Sequence, residues 1–92
     1  MEEHKPRNAF DIPKTFYYQS GNTHTGSRKH LRYRVEPADG ELRTAVWRQD
    51  LCYEIALERG LIEAEAAFPL SDEGFEQMLA FLQSEYDKPV QP

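Results

Sequence analysis

One stretch, "HLRYRVEPADGELRTAVWR" (residues 30–48), constrains the fold of this chain more than any other. Leu31, Tyr33 and Val35 alternate with Arg32 and Arg34, the period-2 pattern of a half-buried strand. Pro37-Ala38-Asp39-Gly40 follows with turn chemistry: Pro presets φ early and Gly accepts φ > 0 at the end. A four-residue hairpin loop there pairs Val35 with Leu42, Tyr33 with Thr44 and Leu31 with Val46, all on one face. It puts Glu36 opposite Glu41, Arg34 opposite Arg43 and Arg32 opposite Ala45 on the other face. A one-residue slip would throw each set to the wrong side, so the register is strongly specified.

The same logic extends downstream. A two-residue turn at Gln49-Asp50 sets Val46, Thr44 and Leu42 opposite Tyr53, Ile55 and Leu57. A four-residue loop at residues 58–61 then sets Leu57 opposite Ile62, with Ala64, Ala66 and Phe68 following on that side. "LCYEIALERGLIEAEAA" also suits a helix through its Ala, Glu and Leu content, with Leu51, Ile55 and Ile62 as its apolar positions. Gly60 opposes a helix through this segment, at about 1 kcal/mol relative to Ala. Opposing the hairpins are like charges facing each other, Glu54 with Glu65 and Arg34 with Arg43. The strands are the favoured expectation.

Beyond Pro69, Ser71 is a good N-cap, and Asp72 and Glu73 suit the positive end of a helix dipole. Phe75, Met78, Leu79, Leu82 and Tyr86 recur at helical spacing, which predicts a helix over roughly 72–86, with Gly74 weakening only its first turn. "TFYYQ" (15–19) is aromatic and reads as a short first strand, and "SGNTHTGSRK" (20–29) as a loop. The polar, aperiodic residues 1–14 read as a flexible arm, 15–87 as a single domain and 88–92 as a tail. The expected architecture is α+β: a four- to five-stranded antiparallel meander with one C-terminal helix packed on one face and the other face open.

Composition narrows the function classes. At 92 residues there is room for one core. No apolar run approaches the roughly 18 residues of a membrane helix. "MEEHKPRNAF" lacks the basic and apolar regions of a signal peptide, so a cytoplasmic protein is expected. The single cysteine, Cys52, excludes an internal disulfide and a multi-thiolate zinc site within one chain. The net charge of −5 is split: residues 1–50 carry +2 and residues 51–92 carry −7.

"GNTHTGSR" (21–28) comes close to a phosphate-binding loop, but Ser27 stands where a lysine is required and a strand follows in place of a helix. His4, His24 and His30 have no metal-ligand spacing, and no cofactor or metal is expected. Cys52 has no neighbouring His and falls beside Trp47 on the open side, and a small apolar filler is its favoured role. Nothing in this pattern makes an enzyme the expectation. The sharper signal is the open sheet face. On the hairpin register it carries His30, Arg32, Arg34, Arg43 and Trp47, with Arg28 and Lys29 approaching from the loop and Tyr17 and Tyr18 alongside. Interleaved arginines and aromatics bind planar carboxylates, or track phosphates and stack bases. The ordinary alternative is a solvated face that keeps a lean protein soluble. The acidic half, from Glu54 to Asp87, offers the mirror-image surface to a basic partner.

"YYQSGNTHTGSRKHLRYRVEP", "VWRQDLCYE" and "FPLSDEGFEQMLAFLQSEYD", covering residues 17–87 with gaps, resemble short accessory proteins of bacterial mobile elements and prophages. That class includes inhibitors of host defence nucleases, the anti-CRISPR proteins. The resemblance implies action by binding and carries over no catalytic residue. The expected function is therefore a non-enzymatic interaction protein that engages a larger protein or protein–nucleic-acid complex. Its contact residues are Arg28, Lys29, Arg32, Arg34, Arg43 and Trp47. The alternative is a single-stranded nucleic-acid-binding module using the same residues.

Overall fold

The computed structural model describes Phe10 and residues 12–88. In chain order the elements are α1 (Thr15–Gln19), β1 (His24–Arg28), β2 (Leu31–Ala38), β3 (Glu41–Trp47), α2 (Tyr53–Glu58), β4 (Ala64–Pro69) and α3 (Asp72–Asp87). The strands form one antiparallel sheet in the order β1-β2-β3-β4. The α+β class, the meander and the C-terminal helix are as the sequence implies.

The β2–β3 hairpin forms with a tighter turn than expected. Asp39 (φ 53°) and Gly40 (φ 75°) are both left-handed, the backbone of a two-residue hairpin turn whose twist matches the flanking strands. Relative to a four-residue loop, the register moves by two. Pro37 faces Leu42, Val35 faces Thr44 and Tyr33 faces Val46. A shift of two preserves the faces, so Leu31, Tyr33, Val35, Leu42, Thr44 and Val46 all turn inward and are buried. The cross-strand neighbours do change. Glu36 now stands opposite Arg43 and Arg34 opposite Ala45, which removes the like-charge pair of the expected register. Pro37 lies past the last β1 partner (His24 opposite Val35), on a part of β2 flanked by one strand only, where a missing N–H is tolerated.

Four expectations are corrected. Residues 15–19 form helix α1, not a strand. The Gly21 N–H (φ 90°) bonds the Tyr18 carbonyl and the Asn22 N–H the Tyr17 carbonyl, a left-handed stop that confines α1 to one turn. The turn sends Thr15 and Tyr18 inward and leaves Phe16 exposed. Residues 24–28, expected as loop, form β1 through a tight turn with Lys29 at φ 52°. Gly26 lets the Tyr33 ring lie against this strand, since a Cβ there would stand 3.0 Å from the Tyr33 Oη. Residues 51–57, expected as a strand, leave the sheet, and Tyr53–Glu58 forms α2. Gly60 does not break this helix but ends it: at φ 70° it donates to the Leu57 carbonyl while Leu61 donates to Ala56. The arm, finally, is shorter than expected. Phe10 and Ile12 are buried in the core, and the Tyr33 hydroxyl donates to the Phe10 carbonyl at 3.0 Å. The remainder of that arm, and the tail beyond Lys88, lie outside the described residues.

β4 consequently pairs directly with β3, Val46 opposite Ala64 through Leu42 opposite Phe68. α3 starts where Ser71 Oγ accepts the Gly74 N–H at 3.1 Å, and lays Phe75, Met78 and Leu82 on the inner sheet face. Among the described residues, no helix is long and apolar enough to cross a membrane.

Candidate functional site

Strand alternation decides which side each arginine takes. Arg32, Arg34 and Arg43 share the outer sheet face, as expected from their positions between buried residues. Trp47 lies on that face too but is only 1% exposed. α2 and its leading segment fold over it: the indole N–H donates to the Leu51 carbonyl at 2.8 Å, and Tyr53 packs at 5.8 Å between ring centroids. Trp47 is therefore a core residue of the outer layer and is not available for contact. Arg28 points the other way, because it pairs with inward-facing Leu31. Its guanidinium lies over the rings of Tyr86 (4.3 Å) and Phe10 (5.0 Å). His30 also leaves the outer face and stacks on Tyr86 at 5.0 Å. Lys29 is exposed in the β1–β2 turn. Tyr18 is buried in the core, and Tyr17 packs at the edge of that core. The structure thus brings together three of the six expected contact residues.

Those three are each matched by a carboxylate. Arg32 pairs with Asp50 at 2.8 Å. Arg34 forks onto both oxygens of Glu36, at 3.1 and 3.4 Å. Arg43 meets Asp39 at 2.8 Å and Glu41 at 3.7 Å. Pairs this exposed add little stability, but they neutralise the field a phosphate chain would follow.

Between α2 and the outer strand surfaces lies a cleft of about 410 Å³. Ala45 and Ala67 form its floor, because small side chains occur there at cross-strand positions between charged ones. Its walls are Arg34, Glu36, Arg43, Glu65 and Tyr53. The Arg34 guanidinium lies 4.4 Å over the Tyr53 ring, so stacking and the Glu36 fork hold it in one place. Leu57, one helical turn after Tyr53, is 50% exposed, and Ile55 is 39% exposed. A second groove of about 320 Å³ beside Trp47 is lined by Ser27, Arg32, Asp50 and Cys52, and this cysteine is exposed where a small apolar filler was the favoured expectation.

Sequence reasoning missed Tyr53, Glu36 and Glu65 as walls. Tyr53 reaches the cleft only because Tyr53–Glu58 folds as a helix, and Glu36 stands beside Arg43 only in the two-residue register. Arg48 was also missed, and there a signal existed. On the strand's alternation it falls on the inner side, a charged residue at a core-facing position. Its guanidinium ties Glu63 to the Glu85 carbonyl near the end of α3, with its side chain only 11% exposed.

Among the described residues no group of three or more His, Cys, Asp or Glu side chains is placed to hold a metal ion. His24 lies near Tyr17 and Tyr33, away from His30 on Tyr86. No family model matches the chain, and neither a curated protein nor a solved structure matches it.

Proposed function

We propose that this protein is a binding module that acts on a larger protein, or on the protein component of a protein–nucleic-acid complex. Its contact surface is the cleft with the adjoining Tyr53–Leu57 ridge of α2. The observation that carries this reading is the fixed Arg34–Tyr53 stack at the rim of a small-residue floor, next to half-exposed Leu57. Arginine and tyrosine are the side chains that anchor interface centres, and here their rotamers are set before any partner arrives. An accessory or inhibitory role in a mobile element agrees with the resemblance of residues 17–87 and rests on it alone. The nucleic-acid reading loses support, because Trp47 is buried and Arg32, Arg34 and Arg43 are each compensated.

The test compares the tagged wild type with Tyr53→Ala and Leu57→Asp in quantitative pull-downs from the host. A protein recovered by the wild type and lost by both variants is expected. Equal recovery by all three would refute the surface. In parallel, titration with single-stranded DNA and RNA at roughly 50 mM salt is expected to be flat, and steep salt-dependent binding would favour the second reading.

A further inference from the structure

We infer that the protein forms a symmetric dimer through the free edge of β4, joining two four-stranded sheets into one continuous eight-stranded antiparallel sheet. The argument begins with backbone direction. Leu70 donates to the Gly40 carbonyl across the β3–β4 ladder, so even-numbered residues of β4 bond to β3. Glu65 and Ala67 therefore point their N–H and C=O groups away from the sheet, and both residues are exposed. At Pro69 there is no N–H to leave unpaired, and its carbonyl is covered by the first turn of α3. The open edge is thus one short run centred on Ala66, and unpaired edges of this kind are templates for another strand.

The sequence of β4 selects a second copy of itself. A two-fold axis at Ala66 places Glu65 opposite the partner's Ala67, and both residues of each pair exchange N–H···O bonds. On the inner face Ala66 meets its own copy, and Ala64 meets Phe68, small against large. Centring instead on residue 65 would oppose two glutamates, and centring on 67 would ask Pro69 for a donor it lacks. In the Ala66 register, Arg43 lies directly beside Ala67. The partner's Glu65 comes next in that row, two strand spacings from Arg43, or about 10 Å at Cα. Half-exposed Arg43, which within one chain meets Asp39 and Glu41, turns over the alanine to this carboxylate in the dimer, and the two-fold repeats the pair.

α3 supplies the second layer. It meets β4 through the Phe68–Phe81 ring contact at 5.8 Å. Gln77, Phe81 and Ser84 follow at i, i+4 and i+7 on that flank, which is uncharged in a helix that is otherwise acidic. Two copies of α3 lying over adjacent β4 strands come to the 8–10 Å or so of packed helices, flank to flank.

Sedimentation velocity across micromolar to millimolar concentration is expected to show a dimer. Glu65→Arg sets like charges beside Arg43 across the interface and is expected to weaken the dimer by about tenfold or more. Adding Arg43→Glu restores it. Ala67→Pro removes only an outward N–H and gives a monomer with an unchanged far-UV spectrum. In a Cys52→Ser background, Ala66→Cys is expected to cross-link two chains on oxidation, because paired non-hydrogen-bonded residues stand about 4.5 Å apart at Cα. Ala64→Cys, facing Phe68, is expected not to cross-link. A wild type that stays monomeric throughout overturns the inference. So does a dimer indifferent to Glu65→Arg, or one that cross-links through 64 and not through 66.

Discussion

Gly74→Ala is the substitution on which helix propensity and packing disagree in sign. In an ordinary helix the change gains about 1 kcal/mol, because Ala is the better helix former. Here a Cβ built on residue 74 would stand 1.8 Å from the Pro69 carbonyl oxygen, 2.7 Å from its carbon and 2.9 Å from its nitrogen. Real Cβ atoms do not approach below 3.0 Å, so the first turn of α3 must retreat from the end of β4 by more than an ångström. The obstacle is backbone, and no side chain can swing aside. Overpacking of this kind costs about 1–3 kcal/mol. The retreat also pulls Gly74 from the Ser71 hydroxyl at 3.1 Å, a cap that contributes about 1 kcal/mol. Set against the propensity gain, the net is a destabilisation of about 2 kcal/mol, a fall in Tm of roughly 10 °C for a domain this small. Urea denaturation followed by far-UV circular dichroism measures it. Ala80→Gly is the control: exposed on the same helix, it is expected to cost only its propensity, about 1 kcal/mol. A Gly74→Ala protein as stable as the wild type, or more so, would refute the close approach of α3 to β4.

Three further outcomes follow from contacts away from the cleft. Arg48→Met is expected to lower stability by about 1–3 kcal/mol, since it removes charge-assisted bonds to Glu63 and to the Glu85 carbonyl from a largely buried side chain; an unchanged urea midpoint would contradict this. Trp47, the only tryptophan, is expected to show the blue-shifted emission of a buried indole and weak acrylamide quenching, and Tyr53→Ala is expected to raise that quenching. Tyr33→Phe removes the hydroxyl that holds the Phe10 carbonyl, for a loss of about 1 kcal/mol. Hydrogen exchange is expected to quicken around Phe10 and Ile12 in that variant, and unaltered exchange there would refute the anchor.

The face assignment of β2, β3 and β4 was legible because alternation survives any even shift in register. The tighter Asp39-Gly40 turn moved every partner by two without moving any side chain between faces. α3 was legible from its stripe and its Ser71 cap. What failed has a common physical source, the use of short polar or aromatic segments to cover a surface. "TFYYQ" has strand propensity, yet one turn of helix buries Tyr18 and Thr15 together, and packing outweighs a propensity worth a few tenths of a kcal/mol per residue. In "LCYEIALERG" the glycine was weighed as a defect inside an element when it marks the end of one. Phe10 and Ile12 sit among polar residues with no periodicity, so only the three-dimensional core reveals them.

The outer face shows why a basic-aromatic pattern in sequence overstates a nucleic-acid surface. Alternation placed Arg32, Arg34 and Arg43 together, and that much was readable. Two of their carboxylates come from positions that alternation does not bring close, Asp39 in the turn and Asp50 in the segment leading to α2, and the third, Glu36, is the same-face neighbour of Arg34 two residues along its strand. The indole that completed the pattern is the one outward aromatic large enough to require cover on a sheet this small, and α2 exists where it does to cover it. Burial of Trp47 brings Tyr53 alongside Arg34, and the proposed contact surface rests on that pair and not on the arginine row. With Trp47 spent on the second layer and Arg32, Arg34 and Arg43 paired locally, the outer face leaves exposed a stacked guanidinium and a half-exposed leucine. The proposed recognition of another protein rests on those features, because aromatic and arginine side chains are enriched at interface centres.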